Sequence, residues 1–228
     1  MNTDIRSLAL ANIVRAEIIT EEASPRVMTF MTGKKATATP KVSQGSENEL
    51  RIKNTILANN DFEDIVTGYE IALEDSTFTP DVFALIDGGT STENGDHVSY
   101  AAPVAGSVVE RTKFTLALYA AEKDYDGSDV SYVRFMFPHC KGTPATITCE
   151  DGAYYAPSYT IKSRPSMGES PASMEHGFKS MPQYASTTSD IVVPDGDGIS
   201  NVYVATAPLS YSGKNYNVGD IIIVPSEN

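Results

Sequence analysis

Apolar residues recur at every second position in one short run after another, and that period limits the folds open to this chain more than any other feature. Tyr69, Ile71 and Leu73 alternate with Glu70 and Ala72; Phe114, Leu116 and Leu118 alternate with Thr115 and Ala117; Val133, Phe135 and Phe137 alternate with Arg134 and Met136. The same pattern runs through Val27, Thr29 and Met31, and through Leu50 and Ile52 against Arg51 and Lys53, after a segment rich in β-branched residues at 13–20. Side chains on a strand alternate between its faces, so each run places one face on a core and the other on solvent or a partner. Further strands are expected at 145–149, 154–162, 201–205 and 220–224.

One helix interrupts the strands. Thr79 is placed to cap it, Pro80 suits its first position and Asp81 complements the helix dipole. Val82, Phe83, Leu85 and Ile86 then form an apolar stripe, and Gly88-Gly89 ends it. The expected fold class is mainly β: a sandwich or partly closed barrel, with one short flanking helix at about 79–87 and long loops. The expected loops are the polar stretch 33–48, with Lys34, Lys35 and Lys41, and the Pro/Ser/Gly/Met-rich stretch 163–189. Two units are expected: a core domain over residues 1–190, and a small β appendage over 191–228. The appendage would run from 191–193 through an acidic glycine turn at 195–198 to strands near Tyr203 and Ile222. Tyr203, Tyr211 and Tyr216 are expected to pack it, since a lone hairpin needs an apolar face to cover; the alternative is an exposed aromatic surface.

Charge narrows the function classes. The 228 residues carry a net charge of −13, whereas proteins that grip nucleic acid do so with basic surfaces that displace counterions from phosphates. An acidic wall would let DNA pass without holding it. No run of apolar residues approaches the roughly 20 needed to span a bilayer, and the N-terminal residues lack the apolar region of a secretory leader, so assembly in the cytoplasm is expected. Cys140 and Cys149, nine positions apart, are expected as two thiols on adjoining strands of one hairpin.

No reaction centre is legible, and none is expected, nor a metal or cofactor. His97, His139 and His176 sit in neither a Gly-x-Ser-x-Gly nor a His-Glu-x-x-His context. His139, Cys140, Cys149 and His176 fit no zinc spacing. The acidic stretches 124–129 and 195–198 lack the ligand order of a calcium loop and are expected as turns between strands.

Three segments in order carry a resemblance. Residues 50–60 (Leu-Arg-Ile-Lys-Asn-Thr-Ile-Leu-Ala-Asn-Asn), 63–71 (Glu-Asp-Ile-Val-Thr-Gly-Tyr-Glu-Ile) and 78–89 (Phe-Thr-Pro-Asp-Val-Phe-Ala-Leu-Ile-Asp-Gly-Gly) resemble the major tail tube proteins of long-tailed phages infecting Gram-positive bacteria. Segments 114–120, 133–138 and 159–165 continue it, over about residues 45–165 in all. The resemblance implies a structural, non-catalytic virion protein whose copies form hexameric rings around an inner β-barrel. The rings stack into a tube, assembled with tape measure and tail terminator proteins, through which DNA passes transiently. Stacking would use residues 1–15 and 33–48, with Arg6, Lys34, Lys35 and Lys41. Strands 50–57, 66–73 and 111–119 would face the channel, with Arg51, Lys53, Glu70, Lys113 and Thr115. Alternatives are the inner tube of a contractile bacteriocin-like particle, a head–tail joining or decoration protein, and a carbohydrate-binding sandwich or a hydrolase without recognisable motifs.

Overall fold

A computed structural model describes residues 9–148, 150–194 and 200–226. In chain order the strands are β1 (Leu10–Thr20), β2 (Val27–Phe30), β3 (Gly33–Ser43), β4 (Glu47–Ile52), β5 (Thr55–Asp61) and β6 (Ile65–Asp75). The helix α1 (Pro80–Asp87) precedes β7 (Thr90–Asn94), β8 (His97–Ala101), β9 (Phe114–Lys123), β10 (Asp129–Gly142) and β11 (Ser158–Ser163). The rest are β12 (Ser173–Phe178), β13 (Gln183–Ala185), β14 (Asn201–Ala205), β15 (Leu209–Tyr211), β16 (Lys214–Tyr216) and β17 (Ile221–Val224). The chain is mainly β with one short helix, as its alternation requires.

An antiparallel sheet ordered β2-β1-β9-β10-β11-β6-β3 forms the body, with β12 also paired to β10. It curls until the start of β3 meets β1, where a Cβ on Gly33 would stand 3.3 Å from Ile13 Cγ2. No ladder joins those two strands, so the barrel stays open. The enclosed face buries Ala16, Ile18, Ile71, Leu73, Phe114, Leu116, Phe137, Tyr159 and Ile161. Val82, Phe83 and Ile86 of α1 close over it; each such side chain removed from water contributes about 1.5–3 kcal/mol. The helix lies so close to β10 that a Cβ on Gly142 would stand 2.0 Å from the Ile86 carbonyl oxygen. Gly88 ends the helix in the left-handed region, φ 84°, as expected. Thr79 occupies the N-cap position, but its hydroxyl makes no capping bond.

β10 changes partner midway. Tyr132–Met136 pair with β12, whereas Cys140–Gly142 pair with β11. Pro138 has no amide hydrogen to donate, and His139 adopts φ 51°, so the ladder breaks and the strand turns between the two pairings.

Several expectations are overturned here. Residues 33–48 are not a loop: β3 runs antiparallel to β6 from Gly33↔Asp75 to Ser43↔Ile65. Its alternation is hidden because an edge strand with small residues (Ala36 and Ala38 inward, Thr37 and Thr39 outward) carries little apolar contrast. Residues 163–189 hold β12 and β13. Residues 145–148 form no strand, and Cys149 lies outside the described residues. Cys140 is buried and bonds to the Phe137 carbonyl.

The C-terminal strands make a second, smaller core. β14 pairs parallel with β13 and antiparallel with β17, so this sheet takes a strand from ahead of residue 191. Residues 191–193 form no strand, and the expected turn at 195–198 lies outside the described residues. Ala185, Ile191, Tyr203, Ala205, Leu209, Ile222 and Val224 pack together, with Tyr211 and Tyr216 against them. The tyrosines therefore pack the unit, as expected. Tyr203 also turns its hydroxyl to the Val192 backbone.

Candidate functional site: the outer face and the ribbon

The face of the main sheet that points away from the core divides into two halves. Over β1, β9 and the first part of β10 it is covered by the C-terminal unit. Beneath that cover lies Glu17, with no exposure at all, beside the buried Arg15 and Arg134. Arg15 Nη2 lies 2.8 Å from Glu17 Oε1, and Arg15 Nη1 donates to the Pro182 carbonyl at 2.6 Å. Its guanidinium sits between the rings of Tyr119 and Tyr184, 4.5 and 4.9 Å from their centroids. Both tyrosine hydroxyls donate to Glu17, at 3.0 and 2.9 Å. Arg134 donates to the Gly219 carbonyl at 3.0 Å and to Glu175 at 3.3 Å. Charge balances locally, and desolvation holds both tyrosines neutral, Tyr184 up to about 12 and Tyr119 higher still. This network fastens the C-terminal unit to the sheet. Arg15 was expected in a stacking arm, but it is part of β1 and lies under this seam; residues 1–8, with Arg6, lie outside the described residues.

Over β3, β6, β11 and the end of β10 no described residue covers the same face, the bare half. Thr37, Thr39, Pro40, Lys41, Glu70, Ala72 and Thr160 line a shallow groove of about 390 Å³, and Lys41 pairs with Glu70 at 3.2 Å. Beside it Lys113, His139, Lys141, Gly142, Lys162 and Arg164 line a second groove of about 340 Å³. Register explains the concentration of charge: Lys141 stands directly opposite Lys162, and Lys162 opposite Glu70. At the edge of this groove His139 is held by Glu21 (Nδ1 to Oε2, 2.6 Å) and Glu169 (Nε2 to Oε2, 3.1 Å). Thr115 also donates to Glu21, at 3.2 Å.

From this half a two-stranded ribbon leaves the body. β3 and β6 pair outward to Ser43↔Ile65, the Phe62 amide donates to the Ser46 carbonyl, and β4 and β5 continue from Glu47↔Asp61 to Ile52↔Thr55. The path from Lys41 to the tip is roughly 40 Å at the usual strand rise. Every described residue from 46 to 67 is exposed. On β4 and β5 the paired Leu50 and Ala58 share a face with Ile52, while Glu47 and Asp61 are opposite one another on the other face. Leu50, Ile52, Ile56, Leu57, Phe62, Ile65 and Val66 are all at least 46% exposed, far more apolar surface than a ribbon in water needs.

The structure thus gathers Lys41, Glu70 and Lys113 on the bare half, with Thr115 at its border on β9, bonded to Glu21. It does not place Arg51 and Lys53 with them. These lie at the ribbon's outer end, Lys53 in the turn itself with φ 54°, so 50–57 is not one strand but a strand end, a turn and a strand start. Lys34 and Lys35 lie exposed at the start of β3, far along that strand from Lys41. Within 111–119, the strand begins only at Phe114. Lys141, Lys162 and Arg164 were missed by sequence reading, because only strand register makes neighbours of them. The stretch 124–129 is the acidic turn between β9 and β10, where Asp126 accepts from the Ser128 amide. His176 lies 3.2 Å from Glu122, and among the described residues no cluster of metal-ligating side chains occurs. No helix there is long and apolar enough to cross a membrane.

No family model matches the chain, and no curated protein matches it. Among solved structures the chain is similar to the cryo-EM structure of the anti-feeding prophage (AFP) baseplate, 6-fold symmetrised. There the TM-score is 0.37 at 10% sequence identity, covering 77% of this chain and 97% of that chain.

Proposed function

We propose that this chain is a structural, non-catalytic subunit of a phage-type tail tube, whose copies close into rings, hexameric in keeping with the family resemblance, and stack around a channel for DNA. The observation that carries the reading is the ribbon: two long strands with exposed apolar side chains and no partner among the described residues. Such a surface is an aggregation hazard unless copies of the same chain cover it. The outer edge of β3 adds a row of free backbone groups, and head-to-tail pairing that closes on itself satisfies every such edge. The threonine-rich strip of the bare half, with Ala72 and Thr160, presents short side chains suited to a wall along which a polyanion slides. The protein then resides in the virion tail, with tape measure and terminator proteins as its other partners.

The test is direct. Concentrated wild-type protein should form filaments with a central hole by negative-stain microscopy. Replacing residues 44–64 with a tight Asn-Gly turn should leave the circular dichroism and the melting transition intact while abolishing filaments. A shortened chain that still polymerises, or a wild-type chain that stays solitary at high concentration, would remove the basis of the reading.

A further inference from the structure

The chain holds two cross-strand pairs of like charge, opposite in sign. On the body, Lys141 faces Lys162 directly across β10 and β11, and Lys113 and Arg164 share their groove. On the ribbon, Glu47 faces Asp61 directly across β4 and β5, with Glu63 and Asp64 beside them in sequence. Like charges placed opposite one another destabilise a sheet; Glu70, opposite Lys162 on its other side, is already paired with Lys41, and Glu47 accepts only the neutral Asn59 amide, so neither like-charge pair holds a counterion of its own. Among the described residues none of Lys113, Lys141, Lys162 and Arg164 makes an ion pair, and the ribbon's carboxylates reach no cation of this groove. The concentration is more pointed because the whole chain is acidic, with 17 basic side chains against 30 acidic ones.

We infer that the Lys113–Lys141–Lys162–Arg164 groove is the receptor for the acidic stem of another copy's ribbon. Glu47 and Asp61 of one subunit enter between Lys141 and Lys162 of the next, and each like-charge pair becomes the other's counterion. This rests on the self-assembly reading above and adds which surface receives the ribbon. It also reconciles a basic groove with a channel for DNA, because in the assembled state the cations are already occupied and the wall they border does not hold phosphate. An alternating arrangement of two cations and two carboxylates is favourable where separated like pairs are not, and it sets register between copies as well as affinity.

Sedimentation velocity of the full-length chain tests this with two charge-reversed variants, Lys141→Glu/Lys162→Glu and Glu47→Lys/Asp61→Lys, each checked for folding by circular dichroism. Each alone should self-associate at least about tenfold more weakly than wild type. An equimolar mixture should recover association, because every reversed ribbon then finds a reversed groove. Wild-type association should weaken between about 0.05 M and about 0.5 M salt. The milder Lys162→Thr keeps the test alive if a double reversal fails to fold, and should show the same direction. Undiminished association of the groove variants would overturn the inference and leave the tube reading standing. So would salt-sensitive binding of a short fluorescent DNA duplex that is lost with the groove lysines, together with no recovery on mixing. A wild-type chain that never associates would overturn both.

Discussion

The two halves of the outer sheet face solve the same problem in opposite ways. Both carry charged side chains on strands whose other face is packed. Under the C-terminal unit, Arg15, Glu17 and Arg134 are withdrawn from water; both oxygens of Glu17 accept from tyrosine hydroxyls and each guanidinium lies against a carboxylate, although the Nε atoms of Arg15 and Arg134 are left without a hydrogen bond. On the bare half, Lys141 and Lys162 oppose each other, and the one carboxylate in register with them, Glu70 opposite Lys162, is paired with Lys41. Buried charge demands local completeness, because an unpaired ion in a poorly polarisable surrounding is costly. A wet surface tolerates incompleteness cheaply, so it can be kept unmatched for a partner. The covered half matches its charges within the chain; on the proposed reading, the bare half leaves its cations for another copy.

The largest effect that could break this contrast is on Glu17. Glu17→Ala leaves the buried Arg15 guanidinium without its carboxylate and Arg134 with only the half-exposed Glu175, and should cost about 3–5 kcal/mol in urea unfolding, whereas Glu70→Ala, which removes a half-exposed pair, should cost no more than about 1 kcal/mol. Equal losses would erase the distinction. Next, Tyr184→Phe removes one donor to Glu17 and should cost about 1–2 kcal/mol, with the added signature of faster proteolysis between residues 179 and 200 as the C-terminal unit loosens. Smaller again is the alkaline response. The Tyr184 hydroxyl rises from 10.0 to about 12 in the fold, chiefly by desolvation. A group kept neutral in this way contributes stability in full below pH 10.0 and loses it as pH climbs through about 12. Melting temperature should therefore fall over that interval, and less steeply in Tyr184→Phe. Smallest is Lys141→Thr, which relieves the like-charge pair while keeping Lys162 opposite Glu70, and should stabilise the solitary chain by a few tenths of a kcal/mol, while weakening association.

How much of this was legible beforehand depends on which residues had neighbours close in sequence. β6, β9, β10 and α1 were readable, because a strand or helix covered on one face writes its period into the chain: Ile71, Leu73, Leu116 and Phe137 are all core. β3 was not, since Ala36 and Thr37 differ too little in polarity to mark inside from outside. The covered half was invisible for another reason. Arg15 and Glu17 read as ordinary strand polars, and nothing local announces a C-terminal unit, more than 160 positions away, folding over them. Of the candidate surface, Lys41, Glu70, Lys113 and Thr115 were found by their segments. Lys141 and Lys162 required knowledge of register, which a one-residue slip would have changed entirely.

The ribbon has one consequence for how such a chain can vary. A paired stem without a third layer is not tied to the volume of any core, so its length can change without repacking the body. Removing one residue from each strand would turn every outward side chain inward, but removing two from each preserves which chemistry each side presents. The stem is thus a gauge graduated in steps of roughly 7 Å, twice the rise of a single strand residue. The distance at which one body meets the next can be reset in those increments while the domain that carries it stays the same.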